Sequence, residues 1–288
     1  MLVFLNGKFV PEEQAVVSVF DRSFLYGDGL FETIRIFNGR LFRWEQHMER
    51  LRQGADFLRI KPPFTQAQLF AFALKLITKN KIPDCLLRLT LSRGIGAPGY
   101  SPGNAKNPVL VMFLRPLPKM GQGRMRQWNL IASSFRLPSN DPLAHFKTCN
   151  KLPPVLARAE ADAAGADEAL LSNTDGFIVE GASSNLFWIK HGIICTPPLT
   201  AGILQGVTRA LVFEIASQRG IPLREKNIRL KDLTQTEGIF LSLSSLGIVE
   251  AKSLDRKTLK RSPLTGQIAR AYIKNLIDSS ACNPGSEP

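Results

Sequence analysis

Two stretches carry residue types that could do chemistry together. Ala144-His145-Phe146-Lys147-Thr148-Cys149-Asn150-Lys151-Leu152 sets a lysine in mixed apolar and polar surroundings. Ile178-Val179-Glu180-Gly181-Ala182-Ser183-Ser184-Asn185-Leu186-Phe187 sets a lone carboxylate at the end of an apolar run, ahead of a small-residue turn. A lysine whose pKa is lowered by burial can attack an aldehyde, and an acid can pair with a protonated ring nitrogen. Taken in isolation, Lys147 reads as one more solvated surface charge and Glu180 as a turn-flanking carboxylate. A third stretch, Gly206-Val207-Thr208, opens a helix predicted to end at Gly220. Backbone N–H groups at such an end, helped by a hydroxyl, suit a phosphate, and Arg50 on an earlier helix could add a guanidinium. On their own, Thr208 is an ordinary N-cap and Arg50 part of a solvated helix face.

The context of these stretches resembles the class IV aminotransferase family, which are fold-type IV enzymes using pyridoxal 5′-phosphate. The resemblance rests on Lys147-Thr148-x-Asn150-x-Leu152, Gly165-Ala166-Asp167-Glu168-Ala169, and Glu180-Gly181-x-x-Ser184-Asn185-Leu186-Phe187. It extends to Tyr26-Gly27-Asp28-Gly29-x-Phe31-Glu32, His47-x-x-Arg50-Leu51 and Gly202-Ile203-Leu204-x-Gly206-Val207-Thr208-Arg209, in the family's order up to about residue 250. It implies an α+β fold of two domains, D-amino-acid aminotransferase-like, with pyridoxal 5′-phosphate in the interdomain cleft. It implies Lys147 as the Schiff-base lysine and later the acid/base, and Glu180 as the partner of the pyridine nitrogen. Arg50, Val207 and Thr208 are implied as phosphate contacts, Leu204 as packed on the ring, and Asn185 as part of the cofactor site. Relatives place a threonine or serine at the position matched here by Leu243, so Ser244 or its backbone is expected to take that part, unless the match shifts by one residue. The family also implies a homodimer.

Within the family, branched-chain enzymes place a tyrosine five residues after the lysine, where this chain has Leu152. D-amino-acid enzymes trap the substrate carboxylate with an arginine and a histidine in the glycine-rich loop. The matching positions are Pro98 and Tyr100, so that trap is missing. Ser92-Arg93-Gly94-x-Gly96-x-x-Gly99-Tyr100-Ser101 is similar to the loop of 4-amino-4-deoxychorismate lyases, and Phe31-Glu32-Thr33 resembles lyases in which a threonine assists proton handling. Thr33 reads equally as a β-branched strand residue. The expected activity is therefore release of pyruvate from 4-amino-4-deoxychorismate to give 4-aminobenzoate. The alternatives are a D-amino-acid or branched-chain transaminase and, without enzymatic activity, a cofactor-binding scaffold or basic nucleic-acid partner, against which an intact Lys147 argues. Expected substrate contacts are Tyr26, Arg35, Arg93, Tyr100 and Ser245.

Composition sets the outer limits. The 288 residues are 44% hydrophobic, enough for two domains. A net charge of +13 suits anionic small substrates and a phosphorylated cofactor. The basic residues are dispersed, so nucleic acid is not an expected partner. Cys85, Cys149, Cys195 and Cys282 lie far apart, which suggests neither a metal site nor a disulfide framework and suits a cytoplasmic protein. The apolar start Met1–Leu5 is broken by Asn6-Gly7-Lys8 and reads as a strand rather than a signal peptide. No apolar run is long enough to cross a bilayer.

The positioning elements follow from spacing. Leu2–Val10 reads as a hairpin turned at Asn6-Gly7, Phe31–Phe37 as a strand, and Trp44–Leu58 as a helix with Met48, Leu51, Ala55 and Leu58 on one face. Thr65 caps a second helix to about Thr78. Cys85–Leu91, Val109–Leu114 and Trp128–Phe135 read as strands, and Pro153–Ala164 as a helix with prolines in its first turn. Glu168–Ser172, Phe177–Val179, Asn185–Lys190, Ile193–Thr196 and Gly238–Leu243 read as strands, and Val207–Arg219 as a helix. The expected division is a domain over 1–117, a linker over 118–123, a cofactor-binding domain over 124–280 and a tail over 281–288.

Overall fold

A computed structural model describes residues 1–117 and 125–281, in two compact units. The linker expected over 118–123 and most of the expected tail lie outside the described residues.

The first unit contains β1 (Leu2–Leu5), β2 (Lys8–Pro11), α1 (Arg22–Tyr26), β3 (Gly29–Phe37) and β4 (Arg40–Leu41). It continues through α2 (Trp44–Leu58), α3 (Gln66–Asn80), β5 (Cys85–Ser92) and β6 (Val109–Pro116), and also takes Phe146–Asn150. Its six strands form one sheet in the order β2-β1-β6-β5-β3-β4. The β1–β2 hairpin turns at Asn6 (φ 44°) and Gly7 (φ 90°), the left-handed pair that matches strand twist. Strand alternation then sorts the side chains. Leu30, Ile34, Ile36, Leu87, Leu89, Leu91, Leu110, Met112 and Leu114 form one core with Trp44, Met48, Leu51 and Ala55 of α2 and Leu69, Ala73 and Leu76 of α3.

The second unit runs from β7 (Gln127–Leu137), α4 (Leu152–Ala163), β8 (Glu168–Asn173), β9 (Ile178–Gly181), β10 (Asn185–Lys190) and β11 (Ile193–Thr196) to α5 (Val207–Gln218). It goes on through β12 (Leu223–Glu225), α6 (Leu230–Leu233), β13 (Gly238–Leu243), β14 (Gly247–Leu254), β15 (Lys257–Thr258) and most of α7 (Pro263–Ala281). The sheet order is β12-β11-β10-β13-β14-β7-β8-β9, and β9 pairs back onto β10, so the strands from β10 to β9 close into a barrel. Phe187 and Phe240 stack at 4.8 Å across the β10–β13 ladder. Among the described residues no helix is long and apolar enough to cross a membrane.

Several elements escape the sequence reading. The turn expected at Tyr26–Gly29 is preceded by α1, five residues long and so too short for a period to show. It exists because the Asp21 side chain accepts from Ser23 N and Gly27 closes it at φ 67°. A side chain at Gly27 would meet Asn150 Oδ1 at 2.2 Å. The strands β12, β14 and β15, the short helix α6 and the closing helix α7 are others.

One polar residue interrupts the apolar face of β3. Glu32 is fully buried, and its carboxylate accepts from Arg50 Nε (2.8 Å), Arg50 Nη2 (2.6 Å) and His47 Nδ1 (2.7 Å), both on α2. Burial works to raise its pKa, but Arg50 and His47 outweigh burial and pull it down to about 2. For His47, burial and the neighbouring Arg50 and Lys147 lower the pKa against the pull of Glu32. Because the folded pKa of Glu32 lies below its ordinary 4.5, its stabilisation is complete above that pH and drains away as pH falls toward 2. Glu32→Gln leaves Arg50 buried opposite a neutral group, and should cost about 3–5 kcal/mol in urea unfolding at pH 7. The variant should also lose stability less steeply than the parent between those two pH values. An equal slope in both proteins would mean that Glu32 does not carry the acid response.

Candidate active site

In the first unit, Lys147 sits on an irregular segment that the backbone treats as a strand. Phe31 N donates to Lys147 O and Cys149 N to Gly29 O, both at 2.9 Å, around an isolated bridge between Leu30 and Thr148. Phe146 packs on Phe57 of α2 at 4.6 Å. These contacts fix Lys147 with Nζ 4.7 Å from the centre of the Phe31 ring. The same ring carries the guanidinium of Arg88 at 3.3 Å. Phe31, Thr33 and Arg35 share one face of β3 by alternation, and Arg88 lies directly across from Thr33 in β5. Arg88 is missed by the sequence reading. Its signal is a lone cation in the apolar run Leu86-Leu87-Arg88-Leu89. Among the described residues it has no carboxylate partner, and burial pushes its pKa down to about 10, which still leaves it charged.

The glycine-rich loop lies in this unit too. Tyr26 Oη accepts from Gly99 N at 3.3 Å, and its ring meets that of Tyr100 edge-on at 5.5 Å. Tyr100 is 87% exposed. Arg93, expected to receive a substrate carboxylate, is bonded within the first unit. Every nitrogen of its guanidinium is engaged: Nε with Asp28 (2.7 Å), Nη1 with Arg59 O (3.2 Å) and Nη2 with Leu58 O (2.7 Å). It closes the C-terminal end of α2, where carbonyls lack helical partners. Arg35 is buried on the face that bears Phe31. Arg50, expected to be a solvated residue if it had no role, is buried and gripped by Glu32.

In the second unit, Glu180 is the next-to-last residue of β9 and is half-buried. Its Oε2 accepts from Leu204 N at 3.0 Å, and Asn185 Nδ2 lies 3.5 Å away while donating to Leu204 O at 2.9 Å. Asn185 thus ties β10 to the segment entering α5. The turn after Glu180 is set by Glu168, fully buried, which accepts from Ser183 N (3.1 Å), Ser183 Oγ (2.6 Å) and Ser184 Oγ (3.3 Å). Glu168 lies within a quoted motif, yet nothing in its spacing marks it as the anchor of that turn. α5 begins at Val207 with no side chain capping it, and Val207 and Thr208 are buried in its first turn. Ser244 and Ser245 occupy the turn from β13 to β14, half-buried. Ser242, opposite Asn185 in the ladder, is 2% exposed, and its hydroxyl has no partner. The sequence reading passes over it, and it lies one residue before Leu243.

Comparison with known proteins decides the family. The family model described as "Amino-transferase class IV" matches residues 29–254. The chain belongs to the class IV aminotransferase family. It is 35% identical to a putative branched-chain-amino-acid aminotransferase of Methanocaldococcus jannaschii, over 96% of each chain. It is 32% identical to the aminodeoxychorismate lyase of Bacillus subtilis, again over 96% of each. Among solved structures it matches the branched-chain aminotransferase of Escherichia coli with a TM-score of 0.89 at 27% identity, covering 95% of this chain and 93% of that one. Other relatives are named D-alanine aminotransferases. The fold is that of fold-type IV enzymes, and the chain is an enzyme of this pyridoxal-phosphate-dependent class.

Class IV aminotransferases use pyridoxal 5′-phosphate, and the residues present suit that group. The second unit alone supplies an acceptor carboxylate for a pyridine nitrogen, an uncapped helix N-terminus for a phosphate, and a buried hydroxyl lacking a partner. Gly206 completes the fit, since a Cβ there would come within 1.9 Å of Asn185 Oδ1. The first unit supplies a primary amine and a buried guanidinium. Gly206→Ala should therefore push Asn185 off Leu204 O and cost about 1–3 kcal/mol in urea unfolding of the cofactor-free protein. Unchanged stability would show that Asn185 can move aside without loss.

Proposed function

We propose that the chain is a 4-amino-4-deoxychorismate lyase that uses pyridoxal 5′-phosphate. The observation that carries this reading is the face around Phe31, where Lys147, the hydroxyl-bearing Thr33 and the carboxylate-free Arg88 come together. Bound pyridoxal 5′-phosphate supplies an electron-withdrawing ring that stabilises the charge left when a proton departs. Glu180, steadied by Leu204 N and Asn185, would hold a pyridine nitrogen protonated, with Leu204 beside the ring as the resemblance implies. In the second unit the first-turn amides of α5 with Thr208 and Ser244 would hold the phosphate, with Ser242 as an added hydroxyl, and the resemblance also assigns Arg50 to it.

Lys147 is the primary amine that would hold the cofactor's aldehyde, and once released by the substrate amine it would serve as the acid/base. Its freed amine then takes the C4 proton of the substrate ring, with Thr33 assisting. The C3–O bond breaks, the enolpyruvyl group leaves and is protonated to pyruvate, and the ring becomes 4-aminobenzoate. The substrate carries two carboxylates, and Arg88 takes one in the part first expected of Arg93. Tyr26, Tyr100, Arg35 and Ser245 line the substrate's approach.

The second reading is an amino-acid transaminase of branched-chain or D-amino-acid type using the same Lys147 and Glu180, favoured by the names of several relatives. Loaded protein given 4-amino-4-deoxychorismate without any 2-oxo acid should release pyruvate and 4-aminobenzoate in equal amounts. Turnover of L-valine or D-alanine only when 2-oxoglutarate is present, with no pyruvate from the chorismate, would replace the lyase with the transaminase. Lys147→Ala should lower turnover by at least about a thousandfold. Arg88→Leu should raise KM for the dicarboxylate by about tenfold or more.

The working form is proposed to be a homodimer. Val16, Val17, Val19, Phe20, Phe24 and Leu25 are all exposed within ten residues, between 47% and 74%, an apolar patch that a second copy would cover. Sedimentation should give twice the chain mass, and Phe24→Asp should shift it toward a single chain. Sedimentation of the parent protein at one chain mass would leave the patch to another partner.

A further inference from the structure

We propose that Arg22 is a positioning residue that sets the conformation of the glycine-rich loop at Gly99–Ser101. Arg22 is 4% exposed and lies on α1, outside every motif to which a chemical role is assigned above. Its Nε donates to Asp28 Oδ2 at 2.8 Å. The rest of the fork gathers three successive carbonyls: Nη1 donates to Gly99 O at 2.9 Å and Ser101 O at 3.3 Å, and Nη2 to Tyr100 O at 3.0 Å. The Arg22 guanidinium also lies 4.9 Å over the Tyr26 ring, whose hydroxyl accepts from Gly99 N.

The loop has little else to hold it. Residues 97–104 are all exposed, so no apolar burial fixes them, and segments of that kind open easily. The clamp itself is anchored. Asp28 is shared by Arg22 and Arg93, and Arg93 is bonded to the end of α2. Burial works to raise the Asp28 pKa, but Arg93 and Arg22 outweigh burial and hold the carboxyl below its usual range. A planar guanidinium can serve a carboxylate and three carbonyls at once, which an ammonium cannot. The consequence for substrate choice rests on the reading above, in which Tyr100 lines the substrate's approach. The clamp itself does not.

The test is Arg22→Lys in the loaded, full-length protein, with Asp28→Asn as a second variant that removes the tether but keeps the guanidinium. Backbone hydrogen exchange over residues 98–104 should quicken by about tenfold or more in either variant, with visible cofactor absorption unchanged. KM for the amine substrate should rise about tenfold while kcat stays within about twofold. Exchange at the parental rate in both variants overturns the clamp. Faster exchange with unchanged KM overturns its part in substrate selection. If the parent protein turns over none of the proposed substrates, the activity reading falls, and the exchange rates alone still decide whether Arg22 holds the loop.

Discussion

A carboxylate sealed inside an apolar layer cannot stand alone, and Glu32 is the point from which much of the first unit takes its order. Its neighbours along the same face of β3 are Leu30, Ile34 and Ile36. Desolvation of an isolated carboxylate there would cost several kcal/mol, so the chain must bring donors to it. It brings Arg50 and His47, one turn apart on α2. That spacing fixes the rotation of α2 about its axis and its height along β3. It also settles Arg50, whose guanidinium is delivered in a defined orientation instead of sampling solvent. A buried ion pair adds less to stability than its short distances suggest, because both partners are desolvated. Its contribution is to make one packing of helix on sheet far better than its neighbours.

The opposite face of the same strand shows the complementary logic. Phe31, Thr33 and Arg35 point away from the helices, and Arg88 joins them from β5. A segment with no regular structure of its own is hydrogen-bonded to the start of β3 on both sides of Thr148, so a flexible side chain at position 147 starts from a rigid backbone. In the second unit the same economy recurs. Glu168 is spent on the serine hydroxyls of the turn after Glu180, and Asn185 is spent on Leu204. In both units hydrogen bonds between well-separated parts of the chain hold the candidate residues in place.

Polar clamps do in the loops what apolar packing does in the cores. Arg22 and Arg93 share the one carboxylate of Asp28, so the network keeps a net positive charge, which backbone carbonyls solvate. Its donors are directed at carbonyls that have no ladder partners, at the end of α2 and along Gly99–Ser101. Such carbonyls need partners or water.

Much of this protein is written locally. The 3.6-residue period of Trp44–Leu58, the Thr65 cap, the Asn6-Gly7 turn and the alternation in β3 and β5 each follow from a few adjacent residues, and the structure repeats them nearly residue for residue. The order of short motifs was enough to name the family, since each motif is contiguous. What sequence could not supply is the sorting of identical residue types by environment. Arg22, Arg50, Arg88 and Arg93 are alike in a string of letters. Only the folded chain gives Arg93 three acceptors, Arg50 a buried carboxylate, Arg22 a loop and Arg88 an aromatic face with no anion on it. Those assignments depend on partners up to 79 residues away, and no local rule carries that distance.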